Sequence, residues 1–174
     1  NWLEGQGERP ASSSSPRWRS FMLAHPATLE ELSKLDPNDF VAEWKWDGIR
    51  VQVVADSNTT TLYSRTGEDI TGSFPELKMP AGFVGVIDGE LLARRSDMER
   101  LAPGTFNDLQ QRLNRKAPPQ KLIEGSPVFV RAYDLLQTGE HDMRSQTTME
   151  RRQALVDVLS AVRPDFMDAS EHVE

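Results

Sequence analysis

Two strand-like segments separated by a short polar turn most constrain the fold of this 174-residue chain. Residues 49–55 and 59–64 are rich in β-branched and apolar side chains. Asp56, Ser57 and Asn58 between them favour a tight turn, so the pattern predicts an antiparallel hairpin. Further strand-like runs occur at residues 40–45, 83–88 (continued by 90–93) and 128–133.

Helices are predicted at about residues 28–35, 105–113 and 148–162, each beginning at a residue that can cap a helix. The capping pairs are Thr28 with Glu31, Thr105 with Asp108, and Thr147 with Glu150. The last helix is predicted to bury the stripe Met149, Leu155, Val156, Leu159 and Val162. No strands are expected after it. Antiparallel strands with a few interposed helices predict an α+β fold.

The composition excludes several classes of protein. The chain has no cysteine and only three well-separated histidines, which excludes disulfide miniproteins, zinc fingers and cysteine nucleophiles. No apolar run approaches membrane-spanning length and nothing resembles a signal peptide, so we expect a cytoplasmic protein without membrane contact. The net charge of −7 argues against binding nucleic acid through bulk charge, although a local basic groove is compatible with it.

Residues 43–50, with the sequence Glu-Trp-Lys-Trp-Asp-Gly-Ile-Arg, carry the clearest functional signal. If this segment is a strand, its side chains alternate between two faces. Trp44 and Trp46 then point into a core, while Glu43, Lys45 and Asp47 share the other face. The pattern therefore predicts one lysine held between two carboxylates.

The same segment contains a turn signal at Asp47 and Gly48, where glycine lets the backbone approach a ligand closely. Arg50 begins the next strand, from which it can reach a phosphate beside Lys45. A single Lys-x-Asp is more often a solvated salt bridge. The longer pattern Lys-x-Asp-Gly-x-Arg is expected by chance in roughly one chain per thousand of this length.

Several strings in this order resemble the catalytic core of ATP-dependent DNA ligases, a branch of the covalent nucleotidyltransferases. The resemblance covers about residues 21–163. In chain order, the matching strings are Phe21-Met22-Leu23-Ala24, residues 43–50, Ser64-Arg65-Thr66-Gly67-Glu68-Asp69, Asp88-Gly89-Glu90, Phe106-Asn107-Asp108-Leu109-Gln110 and Tyr133-Asp134-Leu135-Leu136. It implies an antiparallel-sheet-rich, ATP-grasp-like adenylation domain. Residues 21–174 are then its N-terminal portion, and residues 1–20 a flexible arm or linker.

The resemblance implies that Lys45 is the catalytic nucleophile. Its neutral amine would attack the α-phosphorus of ATP, form a lysyl–AMP phosphoramidate and expel pyrophosphate. Partial burial and nearby cations, Arg50 and a metal, would favour the neutral amine. Glu43 would meet the adenine amino group, and Asp47 would orient the site.

The resemblance assigns the other nucleotide-binding roles to residues spread along the chain. Arg50 would contact the ribose or a phosphate, Arg65 the AMP or the 5′-phosphate of a nick, and Tyr133 the face of adenine. Trp44 is expected among the nucleotide-binding residues too. Phe129, Arg131 and Tyr133 share one face of their strand, as in a pocket wall.

Two carboxylates, Asp88 and Glu90, share one face of their predicted strand. Glu90 would bind the ribose hydroxyls and is also a candidate ligand for Mg²⁺. The metal is implied because pyrophosphate departure builds negative charge that a cation offsets.

The family's later motifs are not found after Tyr133. No Glu-Gly followed by two apolar residues and lysine occurs, and the last lysine is Lys121. No OB-fold domain follows either. We therefore expect a domain that is incomplete at its C-terminus and does not seal nicks alone.

In the full enzyme, AMP would pass from Lys45 to the 5′-phosphate of nicked double-stranded DNA, and the 3′-hydroxyl would then displace it. Such an activity serves DNA repair, replication or recombination. One alternative is an RNA ligase or capping-type nucleotidyltransferase, although residues 64–69 and the helix at Phe106 favour DNA. Another is a non-catalytic nucleotide-binding fragment. The sequence does not define the oligomeric state, for which a monomer is the expectation.

Overall fold

The structure is a computed structural model that describes residues 16–98, 101–113 and 115–173. Within these residues the strands are β1 (Ala42–Glu43), β2 (Ile49–Asp56), β3 (Thr59–Ser64), β4 (Val84–Ala93), β5 (Val128–Thr138), β6 (His141–Asp142), β7 (Met167–Ala169) and β8 (His172–Val173). The helices are α1 (Leu29–Leu32), α2 (Phe106–Gln110), α3 (Gln120–Gly125) and α4 (Thr148–Val162), with short 3-10 helices at Pro37–Asp39, Thr71–Ser73 and Met143–Ser145.

The main sheet has the strand order β3-β2-β4-β5-β6, and every neighbouring pair on this path is antiparallel. β7 pairs with β5 in parallel, and β1 and β8 form a separate antiparallel pair. The predicted hairpin is β2–β3, in register from Val51 opposite Ser64 to Asp56 opposite Thr59. The antiparallel α+β prediction is therefore confirmed.

One face of the main sheet forms the hydrophobic core. Alternate residues of its central strands, such as Val53, Ile87 and Val130, are buried there. α4 packs against β5 on this side and contributes Leu155 and Leu159 to the core. The other face is also buried along the central strands, where a smaller apolar cluster of Val54, Val86 and Leu136 lies on the same strands as the buried polar residues Gln52, Asp88 and Gln137.

The opposite face is crossed by the chain segment before β1. Arg19 donates its backbone N–H to Gln52 Oε1 at 2.6 Å, and Gln52 Nε2 donates back to the carbonyl of Arg19 at 3.0 Å. Arg19 Nη2 also donates to Gln137 Oε1 at 2.6 Å. Of the predicted arm at residues 1–20, residues 1–15 lie outside the described residues, and the remainder makes these contacts with the sheet.

The capping boxes predicted at Thr28 and Thr147 are confirmed at the starts of α1 and α4. The predicted cap of Thr105 and Asp108 is confirmed at the start of α2, where the Thr105 N–H donates to Asp108 Oδ2 at 3.2 Å. The buried stripe of α4 differs from the prediction because Met149 is exposed and Arg151 is buried. Arg151 donates to both carboxylate oxygens of Asp134 in β5, at 2.7 and 3.0 Å. This ion pair places a charged residue where the hydrophobic pattern predicted only apolar ones.

The strand predicted at residues 40–45 is reduced to β1. The two residues of β1 pair with β8, and the chain then leaves regular structure until β2 begins. The expected absence of strands after the last helix is wrong, since β7 and β8 follow α4. These elements are two or three residues long, too short to show a hydrophobic period. α3 and β6 were not predicted either.

No helix in the described ranges has the length and apolar character needed to cross a membrane.

Candidate active site

A cavity of about 630 Å³ lies where the segment after β1 meets the main sheet. Its volume falls within the roughly 300–1,000 Å³ typical of small-molecule sites. Its lining consists of Ala24, Glu43, Trp44, Lys45, Trp46, Gly48, Ile49, Arg50, Arg65, Glu90 and Tyr133. The predicted site residues thus come together here, except Asp47 and Asp88, which do not line the cavity.

The lysine-bearing segment is irregular, so its side chains do not alternate between two faces. Trp44, Lys45 and Trp46 all line the cavity. The prediction that Trp44 packs into a core is wrong, since 63% of this residue is exposed. Lys45 is also exposed, contrary to the expected partial burial. The error at Trp44 arises because the strand ends at Glu43.

Gly48 connects this segment to β4. Its backbone N–H donates to Glu90 Oε1 at 3.2 Å. A Cβ at this position would overlap the carbonyl oxygen of Leu91 and lie 2.8 Å from Leu92 Cδ2. The close approach that requires glycine is therefore to β4, whereas the sequence predicted an approach to a ligand.

Glu90 is the carboxylate that β4 presents to the cavity. Burial raises the pKa of Glu90, while the Gly48 N–H and the charges of Arg50 and Lys45 act in the opposite direction. Lys45 and Glu90 line the same cavity. The site therefore holds an amine and a carboxylate, and the carboxylate of Glu90 is partly desolvated by burial.

The sequence predicted that Asp88 and Glu90 face the same side, but only Glu90 lines the cavity. Asp88 is fully buried, and Arg50 Nη2 donates to its Oδ2 at 2.7 Å. Burial raises the pKa of Asp88 to about 6, against the opposing effect of Arg50. Burial acts to lower the pKa of Arg50, but the hydrogen bond and charge of Asp88, together with Tyr133 and Glu90, raise it, and the net shift is upward.

The Arg50 guanidinium lies between two aromatic rings. Its Cζ is 4.5 Å from the ring centroid of Phe21 and 5.6 Å from that of Tyr133. Arg50 Nη2 also donates to the carbonyl of Met22 at 3.0 Å. Arg50 Nη2 is thus engaged within the protein, and the cation lies against the Tyr133 ring while Arg50 lines the cavity.

Tyr133 reaches the cavity through an irregularity in β5. Asp88 pairs with Asp134 and Gly89 with Ala132, which leaves Tyr133 as the extra residue of a bulge. Burial raises the pKa of the Tyr133 hydroxyl well above its usual value. The ring therefore contributes a neutral aromatic wall.

Arg65 is exposed and lies in the turn that follows β3. The N–H of Gly67 donates to the carbonyl of Ser64 at 2.9 Å, and Gly67 has a φ of 83°. Trp18 packs beside Gly67, where a Cβ would be 3.4 Å from the indole. Trp18, from the chain segment before β1, thus packs against the turn that carries Arg65.

Of the predicted pocket-wall row in β5, only Tyr133 lines the cavity. Arg131 is buried, pairs with Asp168 at 2.8 Å and lies 4.5 Å from the ring centroid of Trp46. Ala24, Trp46 and Ile49 line the cavity without having been assigned a role from the sequence. Their position beside the assigned residues is the signal that could have identified them.

Within the described residues, no group of three or more histidine and carboxylate side chains is arranged to hold a metal ion. A metal held entirely by protein side chains is therefore not supported there. A cation carried on phosphate oxygens and water needs only one or two protein carboxylates.

Residues 21–174 match the family model of the ATP dependent DNA ligase domain. A probable DNA ligase of Anaeromyxobacter sp. (strain Fw109-5) is 35% identical over 151 residues, which is 84% of this chain and 28% of that protein. One of Koribacter versatilis (strain Ellin345) is 33% identical over 156 residues, covering 87% and 26%. The chain thus spans about a quarter of these relatives.

Two solved structures share the fold. The crystal structure of the ligase domain from M. tuberculosis LigD matches with a TM-score of 0.60 and 25% identity, over 77% of this chain and 40% of that one. A mycobacterial DNA ligase D complexed with ATP and MES matches with the same values. With its cavity residues arranged on this fold and a family match from residue 21 onwards, the chain belongs to the ATP-dependent DNA ligase family.

Proposed function

We propose that this chain carries the ATP-binding, self-adenylating part of a DNA ligase, with Lys45 as the nucleophile. The observation that carries the proposal is that Lys45 shares one cavity with Glu43, Arg65, Glu90 and Tyr133, which come from separate parts of the chain. Family membership supports it further, as does the similar mycobacterial ligase that is complexed with ATP.

In the proposed first step, the neutral Lys45 amine attacks the α-phosphorus of ATP. A bond forms between Nζ and phosphorus, the bond to the bridging oxygen breaks so that pyrophosphate leaves with the electron pair, and the attacking amine releases one proton to water. The exposure of Lys45 towards the cavity gives a nucleotide direct access to Nζ. Holding amine and phosphorus in one site converts a bimolecular reaction into an effectively unimolecular one.

Different side chains of the cavity would bind different parts of ATP. The Tyr133 ring and the exposed indole of Trp44 offer flat apolar surfaces to adenine. Glu43 accepts from the adenine amino group, and Glu90 accepts from the ribose hydroxyls. Arg65, exposed in its turn, supplies positive charge for a phosphate.

Arg50 contributes chiefly by supporting this pocket. Its Nη2 donates to Asp88 and to the carbonyl of Met22, and its cation lies against Tyr133. This support holds the aromatic ring in place from the side of the sheet, and a buried carboxylate keeps the guanidinium charged and fixed.

Glu90 would hold a Mg²⁺ ion that arrives on the ATP phosphates, since such an ion requires few protein ligands. When bound, the metal offsets the charge of the departing pyrophosphate. Glu90 itself receives the Gly48 N–H, which orients its carboxylate in the cavity wall.

Nicked double-stranded DNA is the proposed acceptor in the full-length enzyme. AMP would pass from Lys45 to the 5′-phosphate at the nick, and the 3′-hydroxyl would displace it to seal the strand. DNA is favoured over RNA because the matched family and the relatives are named for DNA ligases.

The experiment is intact-mass analysis of the purified chain before and after incubation with ATP and Mg²⁺. We expect the mass to increase by one AMP in wild type and in Lys121→Ala, a control at a lysine that does not line the cavity. Lys45→Ala should gain nothing. AMP attached to Lys45→Ala would show that another residue is the nucleophile. No gain in any variant would contradict self-adenylation by this chain.

A further inference from the structure

The segment between β1 and β2 carries the proposed nucleophile but has no regular hydrogen-bonded structure of its own. An exposed lysine on an irregular segment would move unless neighbouring side chains held its backbone. The contacts that fasten this segment therefore bear on where Nζ lies.

Trp46, the residue after Lys45, is held on two sides. Its Nε1–H donates to Ser170 Oγ at 3.0 Å, and the guanidinium of Arg131 lies 4.5 Å from its ring centroid. Arg131 in turn forms an ion pair with Asp168 at 2.8 Å and donates to the carbonyl of Leu101 at 3.1 Å. Arg131 is only 5% exposed, so this cation and its partner form a rigid platform beneath the indole.

Ser170 is fixed as firmly as Arg131. It is 1% exposed, and its N–H donates to the carbonyl of Ala132 at 2.7 Å. Its own carbonyl accepts from Arg152 of α4. The partner of the indole N–H is thus tied to both β5 and α4.

The segment is also held at its other end, because Gly48 N–H binds Glu90. Glu90 and Arg131 are direct partners across β4 and β5. Trp46 and Gly48 are therefore attached to two neighbouring positions of the same sheet, and Lys45 precedes the first attachment.

We propose that Arg131, Asp168 and Ser170 are positioning residues, which hold Trp46 and through it the backbone that carries Lys45. This inference deepens the proposed function, on which it rests. None of the three lines the cavity, so they act on the reaction only through Trp46.

The test compares Ser170→Ala with Ser126→Ala, a buried serine outside the cavity. For Ser170→Ala we expect kcat of lysyl–AMP formation to fall about tenfold, since misplacing a reacting group by 1 Å can cost on the order of 100-fold. KM for ATP should stay within about twofold, because the cavity walls that bind nucleotide remain. Asp168→Asn should act in the same direction, and Ser170→Thr should restore kcat.

An NMR measurement distinguishes failure of this inference from failure of the proposed function. In Ser170→Ala, the Trp46 indole N–H resonance should shift while those of Trp18 and Trp44 stay in place. The order parameters of the Lys45 and Gly48 amides should drop from about 0.85 towards 0.6. Ser126→Ala should change none of these.

An unmoved indole resonance, or a shifted resonance with unchanged kcat, would overturn the inference. A higher KM with unchanged kcat would also overturn it, because Trp46 would then act only as a binding wall. If wild type acquires no AMP, the proposed function fails. In that case the order parameters of the Lys45 and Gly48 amides in Ser170→Ala test the inference. A decrease supports the positioning role, and no change overturns it.

Discussion

Asp88 and Arg50 form a buried ion pair across β2 and β4, with Arg50 Nη2 2.7 Å from Asp88 Oδ2 and the Asp88 side chain 1% exposed. The pair lies directly behind the proposed nucleotide pocket, because the same guanidinium also faces Tyr133. A carboxylate so deeply buried loses its hydration, and the Arg50 charge only partly replaces it. The pair therefore links the protonation of one carboxyl to the integrity of the pocket.

Asp88 should make the stability of the fold depend on pH. Burial raises the pKa of Asp88 from 3.8 to about 6, so between these values the folded state binds a proton that the unfolded state does not. The stabilising contribution is complete below the lower value and is lost as pH rises through about 6, with an amplitude of about 3 kcal/mol. The free energy of unfolding of wild type should therefore fall by about 2 kcal/mol relative to Asp88→Asn between pH 4 and pH 7. Urea titrations at a series of pH values measure the free energy of unfolding of each protein. The same dependence of this free energy on pH in wild type and Asp88→Asn would contradict the prediction.

Gly48→Ala should destabilise the fold, because a Cβ there overlaps the Leu91 carbonyl and crowds Leu92. We expect a loss of about 2 kcal/mol in the free energy of unfolding, as for other overpacked sites. Gly125→Ala is the matched control, since nothing lies within 4 Å of a Cβ at Gly125. The midpoints of urea unfolding measure both variants. Equal midpoints would show that β4 moves aside at low cost.

Arg112 should be far more costly to replace than the exposed Arg95. Arg112 is fully buried, donates to both carboxylate oxygens of Glu76 at 2.6 and 2.9 Å, and also binds the carbonyls of Ser73 and Ser126. Arg112→Met leaves these acceptors without a donor, at a cost of about 3 kcal/mol. Arg95→Met, which breaks the exposed pair with Asp97, should leave the midpoint of thermal or urea unfolding unchanged within error. Similar losses for the two variants would contradict the contrast in burial.

The sequence was sufficient for the parts of the fold that have a clear period or a local signal. The β2–β3 hairpin and the caps at Thr28, Thr105 and Thr147 depend on neighbouring residues alone, and the structure contains them. β7 and β8 could not be predicted because so few residues form them, and their pairing is with strands distant in sequence.

The candidate site shows the same division. The family resemblance identified most of the residues that line the cavity. The assumption that side chains alternate along a strand gave the wrong position for Trp44, because β1 ends one residue before it. Asp88 and Glu90 share a strand face, yet only Glu90 reaches the cavity, since Arg50 covers Asp88. The contacts of Trp46 with Arg131 and Ser170 join residues more than eighty positions apart, which no local pattern encodes.

Tyr133 should determine how tightly the pocket holds adenine. Its ring lines the cavity on one side and lies against the Arg50 guanidinium on the other. An adenine stacked on the free side would place the ring between the base and the guanidinium. Tyr133→Leu should raise KM for ATP about tenfold, since stacking on an aromatic side chain contributes about 1–3 kcal/mol per base. Tyr133→Phe keeps the ring and removes a hydroxyl whose raised pKa keeps it neutral, so KM should change little and show no new pH dependence. Initial rates of lysyl–AMP formation over a range of ATP concentrations give KM for each variant. A large effect of Tyr133→Phe would assign the interaction to the hydroxyl, and no effect of Tyr133→Leu would place the base against another wall, such as Trp44.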